Sequence, residues 1–393
     1  MTRILGNVTL DTVFRQLSSH MLCGRKIRLV VPCSAVLGLK LLAGWAVYTL
    51  ATHGNTAFAT FWMKEWEIQP KPDWPFLFHG WDSAWYIRIA KMGYSYPAYA
   101  FFPAYPFLIR VASGLTGEYF ISSFMVSFAL GTLAVPMFQF LAEHYMSKSE
   151  AAVATLLFAL FPPIFLFTTI AYTESLFTVA VIGAWIFCLR KHYFSATVSA
   201  TIATTTKVYG LLICLPLFLR LFREKKMKNA LLAAIIPSVT FAGWNAYLFN
   251  LTGDLGAYKS SQSHWQEGWP FGINSMLRFI VEMKPRFGQL APPDLHAILV
   301  VTMLLLILSL FGALVVATLD VDIDFGMYAT MQFLFLVAFG TVWSFLRFLP
   351  FILPVWLIAR TKNRLTTIVA IIIFPMVSLA LWYQFVVLGV WFG

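Results

Sequence analysis

The sequence is short of charge. Of its 393 residues only 11% are Asp, Glu, Lys or Arg, and acids are the scarcer sign, 17 against 28 bases. A soluble domain carries about a quarter of its residues as charges, so a surface wholly exposed to water is excluded. Cysteine is also scarce. Cys23, Cys33, Cys188 and Cys214 are the four present, without metal-ligand spacing, and neither a disulfide framework nor a cysteine-held metal is expected. A phosphate-binding glycine loop, an HExxH pair and a GxSxG elbow are all missing. There is no repeat of the roughly 20–50-residue kind that marks a solenoid.

Apolar sequence is abundant instead. Hydrophobic residues make up 60% of the chain and aromatics 17%, and mean hydropathy is +0.76. Several runs approach the ~20 residues that cross a bilayer as a helix. The chain therefore reads as an all-α polytopic membrane protein forming one integral membrane domain over 1–393. Its first apolar run follows a long polar segment and precedes many more, so it is expected to be a retained span rather than a cleaved signal. The net charge of +11 sits in short loops between apolar runs. That is the positive-inside pattern, which orients a membrane protein and does not call for nucleic acid.

Taken in order, Arg15, Arg25, Lys26 and Arg28 place the N-terminus in the cytoplasm, ahead of a span over 29–51. Residues 52–118 form a first outer loop, with FFPAYPFLIRVASGL too short and too proline-rich for an ordinary span and read as a juxtamembrane helix. Tyr119–Tyr145 cross inward to Lys148, Ala151–Ile170 cross outward to the turn AYTE, and Ser175–Leu189 return to Arg190 and Lys191. A second basic cluster, Arg220 to Lys228, follows after one span's worth of apolar sequence. Two half-depth helices meeting near TTTKVYG, with Lys207 at the apex, put both clusters on one side. One ordinary span with misplaced charge is the alternative. Asn229–Phe249 lead to a second outer loop over 250–294. Leu295–Thr318, Gly326–Trp343, Phe348–Ile358 and Thr366–Trp391 complete about nine or ten crossings.

Residues Phe78 to Arg110 are polar, aromatic and basic together, and the chemistry is expected to centre there. Asp82 stands among Trp81, Trp85 and Tyr86 and opens SAWYIRIAKMGY, which reads as a short amphipathic helix stopped by Gly93. Helical spacing lines Asp82 up with Trp85, Tyr86 and Ile89. An acid in this place is either the N-cap of that helix or a catalytic acid, and spacing alone weighs the two equally. The full capping box is missing, because position N3 is Trp85.

Ionisable side chains within or facing a bilayer are costly and each needs a reason. Glu174 lies at an outer span boundary, where the plainer reading is an acid in a helix's first turn. Arg347 precedes FLPFILP, where the plainer reading is snorkelling. Lys207 lies mid-run, away from both basic clusters. Together with Asp82 these three fit one outer-leaflet cavity. His264 of the second outer loop, with Trp265 and Trp269, suits sugar stacking or interfacial anchoring. Asp320, Asp322 and Asp324 in DVDID look like a metal cluster, yet the topology puts them on the opposite side, and a solvated acidic turn is the better reading. Asn7 and Asn250 stand in N-x-T triplets, a common accident.

WDSAWYIRIAKMGY followed by AFFPAYP resembles, in order and spacing, the W-D, aromatic, I-A, G-Y and A-F-F-P-x-x-P pattern of the PIG-V-type GPI mannosyltransferases and their prokaryotic relatives, of the GT-C superfamily. AYTES, YKSSQSHW and SFLRFLPFILP resemble later family segments more weakly, in the right order. TKVYG stands where the family has an Arg-Ser-Asn-Gly-like segment, and the loop around Glu65 and Glu67 has no counterpart.

The resemblance implies a GT-C-like bundle and an inverting enzyme that takes a sugar, usually mannose, from a polyprenyl or dolichyl phosphate on the outer or luminal face. It implies a glycolipid or lipid-linked glycan as acceptor and no nucleotide domain. No cofactor is called for, and a divalent cation is compatible but not required. On this reading Asp82 is general base, Arg347 and Lys207 hold phosphate, and Glu174 orients a substrate. Trp81, Trp85, Tyr86, Gln262, His264 and Trp265 contact sugar or the lipid neck. A lipid or solute transporter is the rival with the same composition; its polar groups should lie near the midplane. A protein O-mannosyltransferase, an enzyme of lipid A-like heads and a non-catalytic assembly subunit are further alternatives.

Overall fold

The computed structural model describes residues 25–52, 74–265, 308–339, 345, 347–358 and 364–388. Arg15, Glu65, Glu67, Trp269 and most of the loop over 250–294 lie outside the described residues. Every regular element among the described residues is helical. Four helices are long and apolar enough to cross a membrane: Val31–Thr52, Tyr119–Tyr145, Met227–Thr252 and Thr367–Val387. Shorter apolar helices stand beside them at Glu174–Leu189, Leu308–Thr318 and Ile323–Phe339. The protein is an all-α, multi-pass integral membrane protein.

In chain order, α1 (Arg25–Thr52) is followed by a 3-10 turn at Trp74–Phe78, α2 (Asp82–Met92) and α3 (Ala104–Thr116). The amphipathic helix before Gly93 and the short helix in AFFPAYPFLIR thus both form. The long α4 (Tyr119–Tyr145) has the bounds its apolar run gives. It packs against α1, α3 and α7 (Glu174–Leu189). Phe138, Phe158, Phe165, Phe167, Phe177 and Trp185 fill the space between, all fully buried.

The span expected over Ala151–Ile170 is instead two helices, α5 (Lys148–Leu160) and α6 (Pro162–Phe167). Proline cannot donate to the preceding turn but suits a helix's first position, so Pro162 closes one helix and opens the next. Residues 168–173 then run as an irregular linker into α7. Phe348–Ile358 is likewise no helical crossing. Pro350 and Pro354 fall in two consecutive 3-10 turns, Leu349–Phe351 and Leu353–Leu357, which are buried almost throughout.

The awkward stretch between the basic clusters resolves as a hairpin. α8 (Tyr193–Thr204) ends before Lys207, a 3-10 turn covers Val208–Ile213, and α9 (Cys214–Arg223) follows. Tyr193 Oη at the start of α8 donates to Glu224 Oε2 just beyond α9 at 3.1 Å, so the two arms return to one level. Twelve helical residues rise about 18 Å, half a bilayer. Beyond it come α10 (Met227–Thr252), α11 (Ala257–Trp265), α12 (Leu308–Thr318), α13 (Ile323–Phe339) and α14 (Arg364–Trp382).

DVDID joins α12 to α13 and is not a solvated turn. Arg220 Nη1 reaches Asp322 Oδ2 at 2.9 Å and Asp324 Oδ2 at 3.5 Å, Arg223 pairs with Asp324, and Tyr145 Oη donates to Asp322 Oδ2 at 3.1 Å. Asp324 is buried and only Asp320 of the three acids is exposed. Burial raises the Asp322 carboxyl, but the hydrogen bond and charge of Arg220 outweigh it and hold Asp322 below its ordinary value. The acids lock the base of the hairpin to α4 and α13.

Candidate active site

The loop entering α2 is hydrogen-bonded to the 168–173 linker. Ala171 N–H donates to Phe78 O at 2.7 Å, Ser83 Oγ donates to Ala171 O at 3.0 Å, and Tyr172 Oη donates to Gly80 O at 3.2 Å. The N-cap of α2 is Trp81, at φ 47°, and makes no side-chain cap bond; Asp82 is the first helical residue. The plainer reading of Asp82 as N-cap therefore does not hold. Its carboxylate is turned to another partner.

That partner is Arg347. Its Nη1 donates to Asp82 Oδ2 at 2.8 Å, across 265 residues of sequence, and its Nε donates to Glu174 Oε1. Lys207 Nζ donates to the same Glu174 Oε1 at 3.1 Å. The four charged residues picked out of the sequence thus form one chain of ion pairs, Asp82–Arg347–Glu174–Lys207. Glu174 Oε2 accepts from Thr173 Oγ1 at 3.3 Å.

Burial differs along the chain of pairs. The Glu174 side chain is 0% exposed, Arg347 4% and Lys207 9%, while Asp82 is 21% exposed. Asp82 is the member that meets the outside. Its Oδ1 accepts no hydrogen bond among the described residues. Buried charges persist only when paired and hydrogen-bonded, and two bases facing two acids meet that demand.

Aromatic rings enclose the cations. The Arg347 guanidinium lies 4.5 Å from the Tyr172 ring centre, 4.9 Å from Phe348 and 5.2 Å from Phe167. Lys207 Nζ lies 4.8 Å from Phe348 and 5.8 Å from Tyr209. Such contacts gain strength where water is excluded. Tyr86 is buried beside Thr173, Oη to Oγ1 3.5 Å; burial, reinforced by the Asp82 charge, lifts its phenol far above the ordinary value.

The other expected site residues are placed elsewhere. Trp85 is buried and stacks on Phe101 at 6.0 Å, with Arg88 5.6 Å from its ring. Trp81 is half-buried against the main core. Gln262 Nε2 donates to Ala100 O at 3.3 Å, and His264 meets Tyr96 edge to face at 5.6 Å. α11 therefore docks on the turn before AFFPAYP and not on the charged quartet. Trp265 ends α11, its side chain outside the described residues. AFFPAYP is tied to the hairpin apex, where Ala104 N–H donates to Thr205 O at 3.0 Å. Tyr172, Phe348 and Tyr209 belong to the site without having been expected there; their signal was adjacency to Glu174, Arg347 and Lys207.

Residues 74–232 match the family model described as Mannosyltransferase (PIG-V). That stretch holds WDSAWYIRIAKMGY, AFFPAYP and AYTES, with Asp82, Glu174 and Lys207, so the resemblance read from these motifs is borne out over those residues. No curated protein matches the sequence. The crystal structure of ArnT from Cupriavidus metallidurans, bound to undecaprenyl phosphate, is similar over 86% of this chain and 59% of that one, at 14% identity and a TM-score of 0.48. The chain thus spans less than two thirds of the length of that protein. Among the described residues, no group of three or more His, Cys, Asp or Glu is arranged to hold a metal ion.

Proposed function

We propose that the protein is a glycosyltransferase that moves a sugar, most simply mannose, from a polyprenyl-phosphate carrier to a glycolipid or lipid-linked glycan. The observation that carries this reading is the buried quartet, in which a partly exposed acid is backed by two enclosed cations. The acceptor hydroxyl oxygen attacks the anomeric carbon from the face opposite the phosphate. Its proton passes to Asp82, and the C–O bond to phosphate breaks with its electron pair staying on the phosphate. Arg347 already engages Asp82 Oδ2, so Oδ1 is the oxygen left for that proton. Lys207 bonds to a single carboxylate oxygen among the described residues, so it has further N–H groups for the leaving phosphate. Inversion at the sugar follows from a single displacement. The positive-inside pattern of the sequence supports an outer or luminal face for this chemistry.

A transporter should place its polar groups near the midplane, whereas the topology read from the sequence sets these acids at the outer boundary. The test is sugar transfer by the purified protein, given polyprenyl-phosphate mannose and a membrane lipid extract. Asp82→Asn is expected to lower turnover by about 10²-fold or more, and Arg347→Ala to weaken donor binding. Full turnover in Asp82→Asn would sink the mechanism. Absence of transfer by folded protein from any polyprenyl-phosphate sugar would favour the transporter.

A further inference from the structure

Lys40 lies within α1, far in sequence from the four charged residues of the site, and only 1% of it is exposed. A lysine inside an apolar span needs an occupation, and no carboxylate pairs with it among the described residues. Its Nζ donates instead to the backbone carbonyl of Thr168 at 2.9 Å and to the Thr168 hydroxyl at 3.1 Å. That hydroxyl passes its own proton on to Ile164 O at 2.6 Å. Thr168 is the C-cap of α6, where the last helical carbonyls lack partners and a cation is favourable.

Thr168 also begins the linker that shapes the site. Irregular backbone within a membrane protein must find its hydrogen bonds from neighbouring groups, and this linker finds them from side chains of three different helices. The carbonyl of Thr168 takes Lys40 of α1, that of Ala171 takes Ser83 of α2, and that of Tyr172 takes Ser127 of α4 at 3.0 Å. At the far side α4 presses on the same peptide, since a Cβ on Gly131 would stand 1.9 Å from Thr168 O. The linker carries Tyr172, whose ring faces Arg347, and leads into Glu174 at the start of α7, which joins Arg347 to Lys207.

We infer that Lys40 is a positioning residue for the active site: by holding the Thr168 carbonyl it fixes the linker from which Tyr172 and Glu174 reach Arg347. A methionine of similar shape would fill the space without the hold. Only the kinetic arm of the test rests on the transferase reading.

The experiment compares parent, Lys40→Met and Thr168→Val in detergent by amide hydrogen exchange, thermal midpoint and sugar transfer. Lys40→Met is expected to keep its thermal midpoint while exchange over 168–174 rises about tenfold or more, with exchange in α4 and α10 unchanged. Thr168→Val loses the hydroxyl acceptor but keeps the carbonyl, and is expected to show a smaller rise in the same peptides. In transfer, kcat of Lys40→Met falls by about 10–100-fold with donor KM little changed. Unaltered exchange over 168–174 in both variants overturns the inference, and so does faster exchange with kcat intact. If the parent transfers no sugar, the exchange arm still decides where Lys40 acts, and the transferase reading alone fails. Should Lys40→Met not fold, Thr168→Val carries the same comparison.

Discussion

His79 stands three residues before Asp82 and is paired through both ring nitrogens. Nδ1 lies 2.9 Å from Pro75 O, and Nε2 lies 2.7 Å from Ser123 Oγ and 3.1 Å from Phe120 O. Burial drives its pKa down to about 4, against the pull of the two carbonyls, so the native protein holds the ring neutral. The unfolded chain takes up a proton near the ordinary histidine value of roughly 6.5. Stability is therefore intact above that value and declines as pH falls towards about 4, where the loss is complete. The full decline is roughly 3 kcal/mol. Thermal midpoints measured in detergent from neutral to acid pH should show it in the parent and not in His79→Gln. An equal decline in both would exclude His79 as the source. At this scale the sequence was readable where a residue stood out against its surroundings. Asp82, Glu174, Lys207 and Arg347 are charges in an apolar chain, and the structure joins all four. Lys40 was as conspicuous in composition but lay mid-span with no aromatic or polar neighbours to draw notice. Tyr172 was one tyrosine among 15, marked in sequence by adjacency to Glu174 alone, and its role shows in its position against Arg347.

Broken helices are the elements that build the site. α6 stops short to release the linker, and α8 stops short to place Lys207 at an apex. The return after Lys207 is tight because Gly210 lies against the end of α8, where a Cβ would stand 2.2 Å from Ala203 O. The obstacle is backbone and cannot swing aside. Gly210→Ala should lower stability by roughly 1–3 kcal/mol or more, seen as a lower thermal midpoint, and should displace Lys207. Gly38→Ala in α1 is the control, since nothing lies within 4 Å of its Cβ and a helical alanine is favoured by up to about 1 kcal/mol. Comparable midpoints for the two variants would contradict the close approach. Apolar runs alone did not show where two such elements break. Over 151–170 and 348–358 the side chains are as apolar as any span, and prolines decide the backbone. The hairpin was legible for a different reason: two basic clusters separated by one span's length had to share a side, and Tyr193 meeting Glu224 brings the arms together.

At the scale of the molecule, the ion pairs among the described residues fall into two groups at opposite ends of the hairpin. One is the quartet around Arg347; the other is Arg220 and Arg223 with Asp322 and Asp324. The second group was read from sequence as a solvated turn, because local sequence cannot show an ion pair across 102 residues. Gln262 and His264 were read from sequence as substrate contacts, and the fold sets α11, which carries them, against Ala98–Ala100. If the protein takes a lipid-phosphate donor, as proposed, the quartet has a consequence for how that charged lipid is captured. Two acids and two bases sum to zero, so from beyond a Debye length the site presents no field of its own. An anionic headgroup would not be steered towards it; the lipid would have to arrive by lateral diffusion and then exchange partners with Arg347 or Lys207 at contact. The rate of donor capture in a fixed detergent should accordingly change by less than about twofold between about 50 and 300 mM salt. A steep fall with salt would mean that the quartet opens before the donor arrives. Recognition on this account is a short-range swap of counter-ions, blind to anything that does not already sit in the same leaflet.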